Sequence, residues 1–166
     1  MVGALNNKKK YLCFVGVALL VVALDQVTKM LVLKRMPLFK PIVIIPGFFN
    51  LIHVHNPGGA FGFLAQNGSA WRHWLFLIAV VFALIMILYF HHRTPKTHPY
   101  LALGLSLIFG GAIGNFIDRL RLGEVVDFLD FYLLNHHYPT FNVADSAVTI
   151  GVGVFILHII FKKMPF

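Results

Sequence analysis

Four long apolar runs constrain this chain more than any other feature, because each is long enough to cross the hydrocarbon of a bilayer as a helix. They predict helices over approximately 11–33, 71–90, 100–117 and 143–161. In the last three runs the only Lys, Arg, Asp or Glu away from the ends is Asp145, which falls in the first turn of the last run. The composition agrees: 58% apolar and 12% charged residues, with a mean hydropathy of +0.79, lie far outside the range of soluble domains. The expected architecture is an all-α membrane protein, a four-transmembrane-helix bundle with a small extended β layer on its outer side. Residues 1–166 are read as one integral membrane domain.

The first run follows Lys8-Lys9-Lys10, as a secretory leader would. However, Val21-Val22-Ala23-Leu24-Asp25 lacks the small-residue cleavage pattern of such leaders, so the helix is expected to be retained. Even-numbered spans put both termini on one side. The lysines and arginines divide seven and seven, with Lys8, Lys9, Lys10, Arg93, Lys96, Lys162 and Lys163 on the terminal side. All six acids fall on the other side. That asymmetry orients the purely basic face toward anionic cytoplasmic lipid. The net charge of +8 is thus flanking charge on membrane helices. No basic run interleaved with aromatics forms a nucleic-acid module. Cys13, the only cysteine, has no disulfide partner within the chain and reads as a small hydrophobe.

Between the first two helices, approximately 37–67, Pro37, Pro41, Pro46 and Pro57 exclude a helix, and Phe48 to Asn56 reads as a strand after a Pro46-Gly47 turn. His53 and His55 would share a face of that strand. They lack the zincin spacing and any Cys partner, so a membrane metalloprotease is disfavoured.

Five of the six acids lie between Gly110 and Ser146. Gly110 and Gly114, four apart, suit close helix packing. Gly111, Asn115, Asp118 and Arg119 recur at helical spacings of three and four, so close packing would carry these polar groups toward neighbouring helices. Polar groups at that depth need partners. Asp118 and Arg119 could form an interfacial ion-pair network to which Asp25 and Lys29, also four apart, belong, and support and function weigh evenly for those four. An outer loop is expected over approximately 118–142, and its stretch from Gly123 to Tyr138, with Phe128, Leu129 and Phe131, reads as a lid at the membrane surface.

Asp127 lies in the apolar Val125-Val126-Asp127-Phe128, and Asp145 in Phe141-Asn142-Val143-Ala144-Asp145-Ser146. Taken singly, Asp127 reads as a solvated loop acid and Asp145 as a helix cap. Brought together at a membrane edge, two carboxyls would share a proton and could act as general acid and base on a peptide bond. That chemistry needs no metal and no other cofactor.

These residues resemble the prolipoprotein signal peptidases, the signal peptidase II family of bacterial aspartic peptidases. The resemblance runs through Asp25-Gln26-Val27-Thr28-Lys29, Asn56-Pro57-Gly58-Gly59-Ala60-Phe61, the Gly110 to Arg119 block, Val125-Val126-Asp127-Phe128 and Phe141 to Ser146, in that order between four spans. It implies removal of the signal peptide from a diacylglyceryl-modified prolipoprotein, by cleavage before the lipidated cysteine. It also implies Asp127 and Asp145 as the catalytic pair. Asp25, Lys29, Asn56, Gly111, Asn115, Asp118, Arg119 and Asn142 would support the pair or bind substrate. A multi-pass plasma (inner) membrane protein is implied, with cytoplasmic termini, a periplasmic active site, one working chain, membrane lipid around it and globomycin-type inhibitors in the same cleft. Gly59 departs from the alanine usual in the family. Phe48, Phe49, Phe61 and Phe63 could anchor the outer segment in the interface.

Two other classes stay in view. A transporter would line a path across the bilayer, whereas these acids cluster on one side. A serine–lysine peptidase would use Ser69, Ser106 or Ser146, none of which has a Lys close in sequence.

Overall fold

The computed structural model describes residues 7–58 and 70–162. Gly59, Ala60, Phe61, Phe63, Ser69 and Lys163 lie outside the described residues. In chain order the elements are α1 (Asn7–Arg35), β1 (Ile42–Ile45), β2 (Phe49–Asn56), α2 (Ala70–Arg93), α3 (Pro99–Leu122), β3 (Val125–Leu133), β4 (His136–His137) and α4 (Val143–Lys162). All four helices are long and apolar enough to cross a membrane.

Side chains such as Leu12, Leu19, Ile78, Phe82 and Ile160 stay exposed along them. Apolar exposure of this kind is what lipid, not water, stabilises. α3 is the central helix and packs on the other three. Its approach to α4 depends on missing side chains: a Cβ on Gly111 would run into the carbonyl oxygen of Ala144, and one on Gly104 would lie 3.0 Å from the carbonyl oxygen of Gly151. Near the start of α1, Phe14, Ile87, Leu101 and Leu105 form one apolar cluster.

The four strands make one antiparallel sheet in the order β1-β2-β3-β4. Val126 and Phe128 of β3 pack on Val32 and Met36 at the far end of α1, which seats the sheet on the bundle. A register shift between Leu51 and Val54 bends β2 against β3.

The segment expected as an outer loop, 118–142, is largely ordered secondary structure. α3 continues one turn past the expected boundary to Leu122, where Gly123 at φ +79° ends it with its N–H on the carbonyl of Arg119 at 3.1 Å. β3 then lies between β2 and β4, with Val125 to Phe128 all buried. Within the Gly123 to Tyr138 stretch, Val125–Leu133 is thus a strand and not a loop, while Leu133, Leu134 and Tyr138 stay exposed. Val125-Val126 and the aromatics Phe128, Phe131 and Tyr132 favour the strand, but its partner lies far back along the chain, 80 residues in the Asn50–Asp130 pair.

Candidate active site

Lys29 organises the polar end of the bundle. Its ammonium, 1% exposed, donates to Asp25 Oδ2 at 2.9 Å, Asp118 Oδ2 at 2.8 Å and Asn115 Oδ1 at 2.9 Å. Three donors meet three acceptors, which is how a buried ammonium is tolerated. The two carboxylates use their other lone pairs on backbone. Asp25 Oδ1 accepts the N–H of Ala144 at 3.0 Å, and Asp118 Oδ2 accepts that of Val126 at 3.2 Å. These are the residues immediately before Asp145 and Asp127.

Asn142 links those two acids directly. It opens α4 as an N-cap: its Oδ1 accepts the N–H of Asp145 at 2.9 Å while Asp145 Oδ2 accepts the N–H of Asn142 at 3.2 Å, a reciprocal capping box. Its amide nitrogen, fully buried, donates to Asp127 Oδ1 at 2.7 Å and to Asn115 Oδ1 at 3.1 Å. Asn115 Nδ2 in turn donates to Asp145 Oδ1 at 2.7 Å. Asp145 is thus both a cap and a member of the cluster, so the two readings of it are compatible.

Asp127 is 2% exposed on β3. Asn56, opposite Val125 on β2, reaches diagonally to donate to Asp127 Oδ2 at 3.0 Å. The Asn56 side-chain Oδ1 accepts the N–H of Gly58 at 3.0 Å, forming an Asx turn across Pro57. Arg119 Nη2 donates to the Gly58 carbonyl at 3.2 Å, and its charge faces Asp145, Asp127 and Asp118. Burial first, then the neighbouring charge of Asp145, pushes the Asp127 carboxyl up to about 6. The hydrogen bonds from Asn56 and Asn142 pull the other way.

All ten residues singled out in the sequence thus meet in one network: Asp25, Lys29, Asn56, Gly111, Asn115, Asp118, Arg119, Asp127, Asn142 and Asp145. Gly111 enters it through backbone contact with Ala144. Gln26, within the Asp25 to Lys29 motif but without a site role from sequence, joins the network: its amide nitrogen lies 3.1 Å from Asp25 Oδ2, 3.0 Å from Asp118 Oδ1 and 3.1 Å from the Gly114 carbonyl. A polar residue inside an apolar run was the available signal. Asp130 and Glu124 stand outside: Asp130 pairs with Asn50 and His137, and Glu124 with His55.

A cleft of about 510 Å³ opens beside the acids. Asn56, Asn115, Arg119, Asp127 and Asp145 line it together with apolar Val80, Ala112, Val148 and Ile150 and with Tyr138 and Phe141. Two neighbouring carboxyls, one of them raised by burial and by the charge of the other, beside a fixed cation and a carbon-lined wall, suit acid–base chemistry on a substrate that carries hydrocarbon. Among the described residues the other nucleophile candidates, Ser106 and Ser146, are engaged elsewhere. Ser146 Oγ donates to the Asn142 carbonyl at 2.9 Å and Ser106 Oγ to that of Ala102 at 2.7 Å. His53 and His55 do share a face, where their Nε2 atoms lie 3.1 Å apart, and His53 Nδ1 bonds the Met36 carbonyl at 2.9 Å.

Comparison with known proteins gives a consistent result. The sequence model of the family described as Signal peptidase (SPase) II matches residues 17–161. A lipoprotein signal peptidase of Desulforapulum autotrophicum is 52% identical, over 93% of this chain and 94% of that protein. One of Symbiobacterium thermophilum is 49% identical, over 86% and 91%. A solved bacterial membrane enzyme, 36% identical, superposes with a TM-score of 0.79 over 91% of this chain and 94% of its own.

Proposed function

The chain belongs to the signal peptidase II family, and from that premise we propose that Asp127 and Asp145 are the pair that cleaves its substrate. As a member of that family it is a membrane-spanning protease that removes signal peptides from lipoprotein precursors. The observation that carries the assignment of the pair is the single residue Asn142, which donates its side-chain N–H to the Asp127 carboxylate and its backbone N–H to the Asp145 carboxylate.

Asp127, held up to about 6, is the member that keeps the shared proton. Asp145, fixed by Asn115 and by its cap bonds, is the base. Water loses a proton to Asp145 as its oxygen bonds to the scissile carbonyl carbon, and Asp127 donates to the carbonyl oxygen. Collapse of the tetrahedral intermediate breaks the C–N bond, and a proton passes to the departing amine nitrogen. The products are a carboxylic acid and an amine, at the net consumption of one water. Arg119 orients the Gly58 turn and steadies the negative charge of the site. Asp25, Lys29, Asn115 and Asp118 hold the two acids in place.

The apolar wall of Val80, Ala112, Val148 and Ile150 supports a substrate whose diacylglyceryl group stays in hydrocarbon while the scissile bond reaches the carboxyls. The clustering of acids at one end and of Lys8, Lys9 and Lys96 at the other supports cytoplasmic termini and an active site on the outer face of the plasma membrane. One chain supplies every group in the site, which supports a monomer as the working unit. The test is cleavage of a diacylglyceryl-modified precursor peptide by purified protein in detergent with chelator present. Asp127→Asn and Asp145→Asn, each still folded, are expected to abolish cleavage. Survival of activity in either would reduce that residue to support.

A further inference from the structure

We propose that the bundle carries a specific site for one anionic glycerophospholipid at the end opposite the acids, with the acyl chain between α1 and α3 and the phosphate at the start of α3. A groove of about 190 Å³ lies there, walled by Cys13 and Phe14 of α1 and by Pro99, Ala102 and Leu103 of α3, with Lys10 at its edge. Asp25, the nearest acid along α1, is fifteen residues from Lys10, roughly 22 Å at the helical rise. The walls are almost wholly carbon, and Cys13, Tyr100 and Leu103 are exposed on the lipid-facing side. That favours hydrocarbon over a water-soluble ligand.

Three features place a negative charge at the mouth of the groove. Lys10 is 5% exposed, and its ammonium donates to the carbonyls of Thr94 at 2.7 Å and His92 at 3.3 Å. Those bonds fix the cation at the C-terminal end of α2 and leave one of its three N–H groups over. Lys96, in the following turn, adds a second positive charge toward Lys10. α3 begins there with Pro99, has no side-chain cap from His98 and no acid in its first turn, so the positive end of a 24-residue helix is uncompensated. No Asp or Glu of this chain lies near enough to neutralise these charges, because all six occupy the other end. A phosphodiester with an attached acyl chain satisfies the charge and the groove together. The headgroup attraction adds to ordinary lipid contact and selects anionic over zwitterionic lipid. Cys13 and Leu103 take no part in the peptidase machinery, so the site is separable from cleavage.

The test is native mass spectrometry of the full chain released from detergent, titrated with phosphatidylglycerol or phosphatidylcholine. The expected result is one retained phosphatidylglycerol, bound at least about tenfold more tightly than phosphatidylcholine. Cys13→Trp and Leu103→Trp fill the groove from its two walls, and each is expected to abolish that preference while peptide cleavage persists as the check on folding. Lys96→Gln is expected to weaken phosphatidylglycerol several-fold and leave phosphatidylcholine unchanged. Equal retention of the two lipids by wild type would overturn the proposal. So would undiminished preference in both cleavage-competent tryptophan variants, or displacement of phosphatidylglycerol by millimolar inorganic phosphate, which would mark a phosphate site without a lipid groove.

Discussion

Asp25 accepts the backbone N–H of Ala144 at 3.0 Å although the two residues stand 119 positions apart. Asp118 does the same for Val126 at 3.2 Å. In each case a carboxylate grips the amide of the residue preceding one of the two proposed catalytic acids, so it positions main chain and leaves that acid's side chain to face the cleft. Lys29 ties the two grips together. The supporting set thus acts as one clamp on the start of α4 and the start of β3.

Lys29→Met should be the most damaging substitution in that clamp. It leaves Asp25 and Asp118 buried against each other without their shared cation, and removing one partner of a buried ion pair costs about 3–5 kcal/mol. Thermal unfolding in detergent should show a large fall in Tm. Adding Asp118→Asn to the same protein should recover part of it. An unchanged Tm in Lys29→Met would show that the clamp contributes nothing to stability.

Gly111→Ala should separate α3 from α4. The new Cβ meets the Ala144 carbonyl and the Val148 side chain, neither of which can yield without moving the first turn of α4. Overpacking of this kind costs about 1–3 kcal/mol, and cleavage should fall further than stability because Asp145 moves with that turn. Gly153→Ala is the control: nothing lies within 4 Å of its added Cβ, and the change should be neutral or slightly stabilising. Equal Tm and activity in the two variants would remove the packing argument for Gly111.

The four helices were legible because hydropathy is a local signal, and the Gly111–Asn115–Asp118 face because helical spacing is local too. Asp25 and Lys29 announced themselves as charges within an apolar run. β3 was not legible: its sequence reads equally as an apolar loop, and what makes it a strand is pairing with β2 across Asn50–Asp130 and Val54–Asp127. For the same reason Asp127 looked like a solvated acid until that pairing buried it. Gln26 had no site role from sequence because its three acceptors, on Asp25, Gly114 and Asp118, converge only after α1 and α3 have packed. The pairing of Asp127 with Asp145 rested on resemblance, since spacing alone carries no distance between a strand and a helix cap.

Ser146→Ala should leave cleavage within a few-fold of wild type. The hydroxyl is spent on the Asn142 carbonyl one turn back, a bond that a capped helix can lose cheaply. Initial rates with the lipid-modified peptide check this. Near-complete loss with retained fold would return the serine mechanism to consideration.

Asp127 should make the protein less stable as pH rises. Its carboxyl is raised above its unfolded value of about 3.9 to about 6. The stability tied to its proton is therefore fully present below the unfolded value and lost as pH rises through about 6. Asp127→Asn has no such proton to lose. Its Tm should exceed that of wild type by a margin that widens between pH 4 and pH 7, corresponding to on the order of 1–3 kcal/mol. A constant margin across that range would mean that Asp127 ionises without strain.

Asn56→Ala should move the alkaline limb of the pH–rate profile upward. Burial and the charge of Asp145 raise the Asp127 carboxyl, while the N–H of Asn56, at 3.0 Å, stabilises its ionised form. Deleting that donor removes a force favouring ionisation, so Asp127 holds its proton to higher pH and kcat/KM should decline later on the alkaline side. The overall rate should also fall, since the Asx turn that presents Gly58 to Arg119 loses its anchor. Asn50→Ala is the matched control: it removes a similar amide from β2, but one bonded to Asp130 and not to the pair. Its alkaline limb should stay where wild type has it. A limb that moves equally in both variants would assign the shift to loosening of the sheet, and one that moves in neither would mean that the group controlling the alkaline limb is not Asp127.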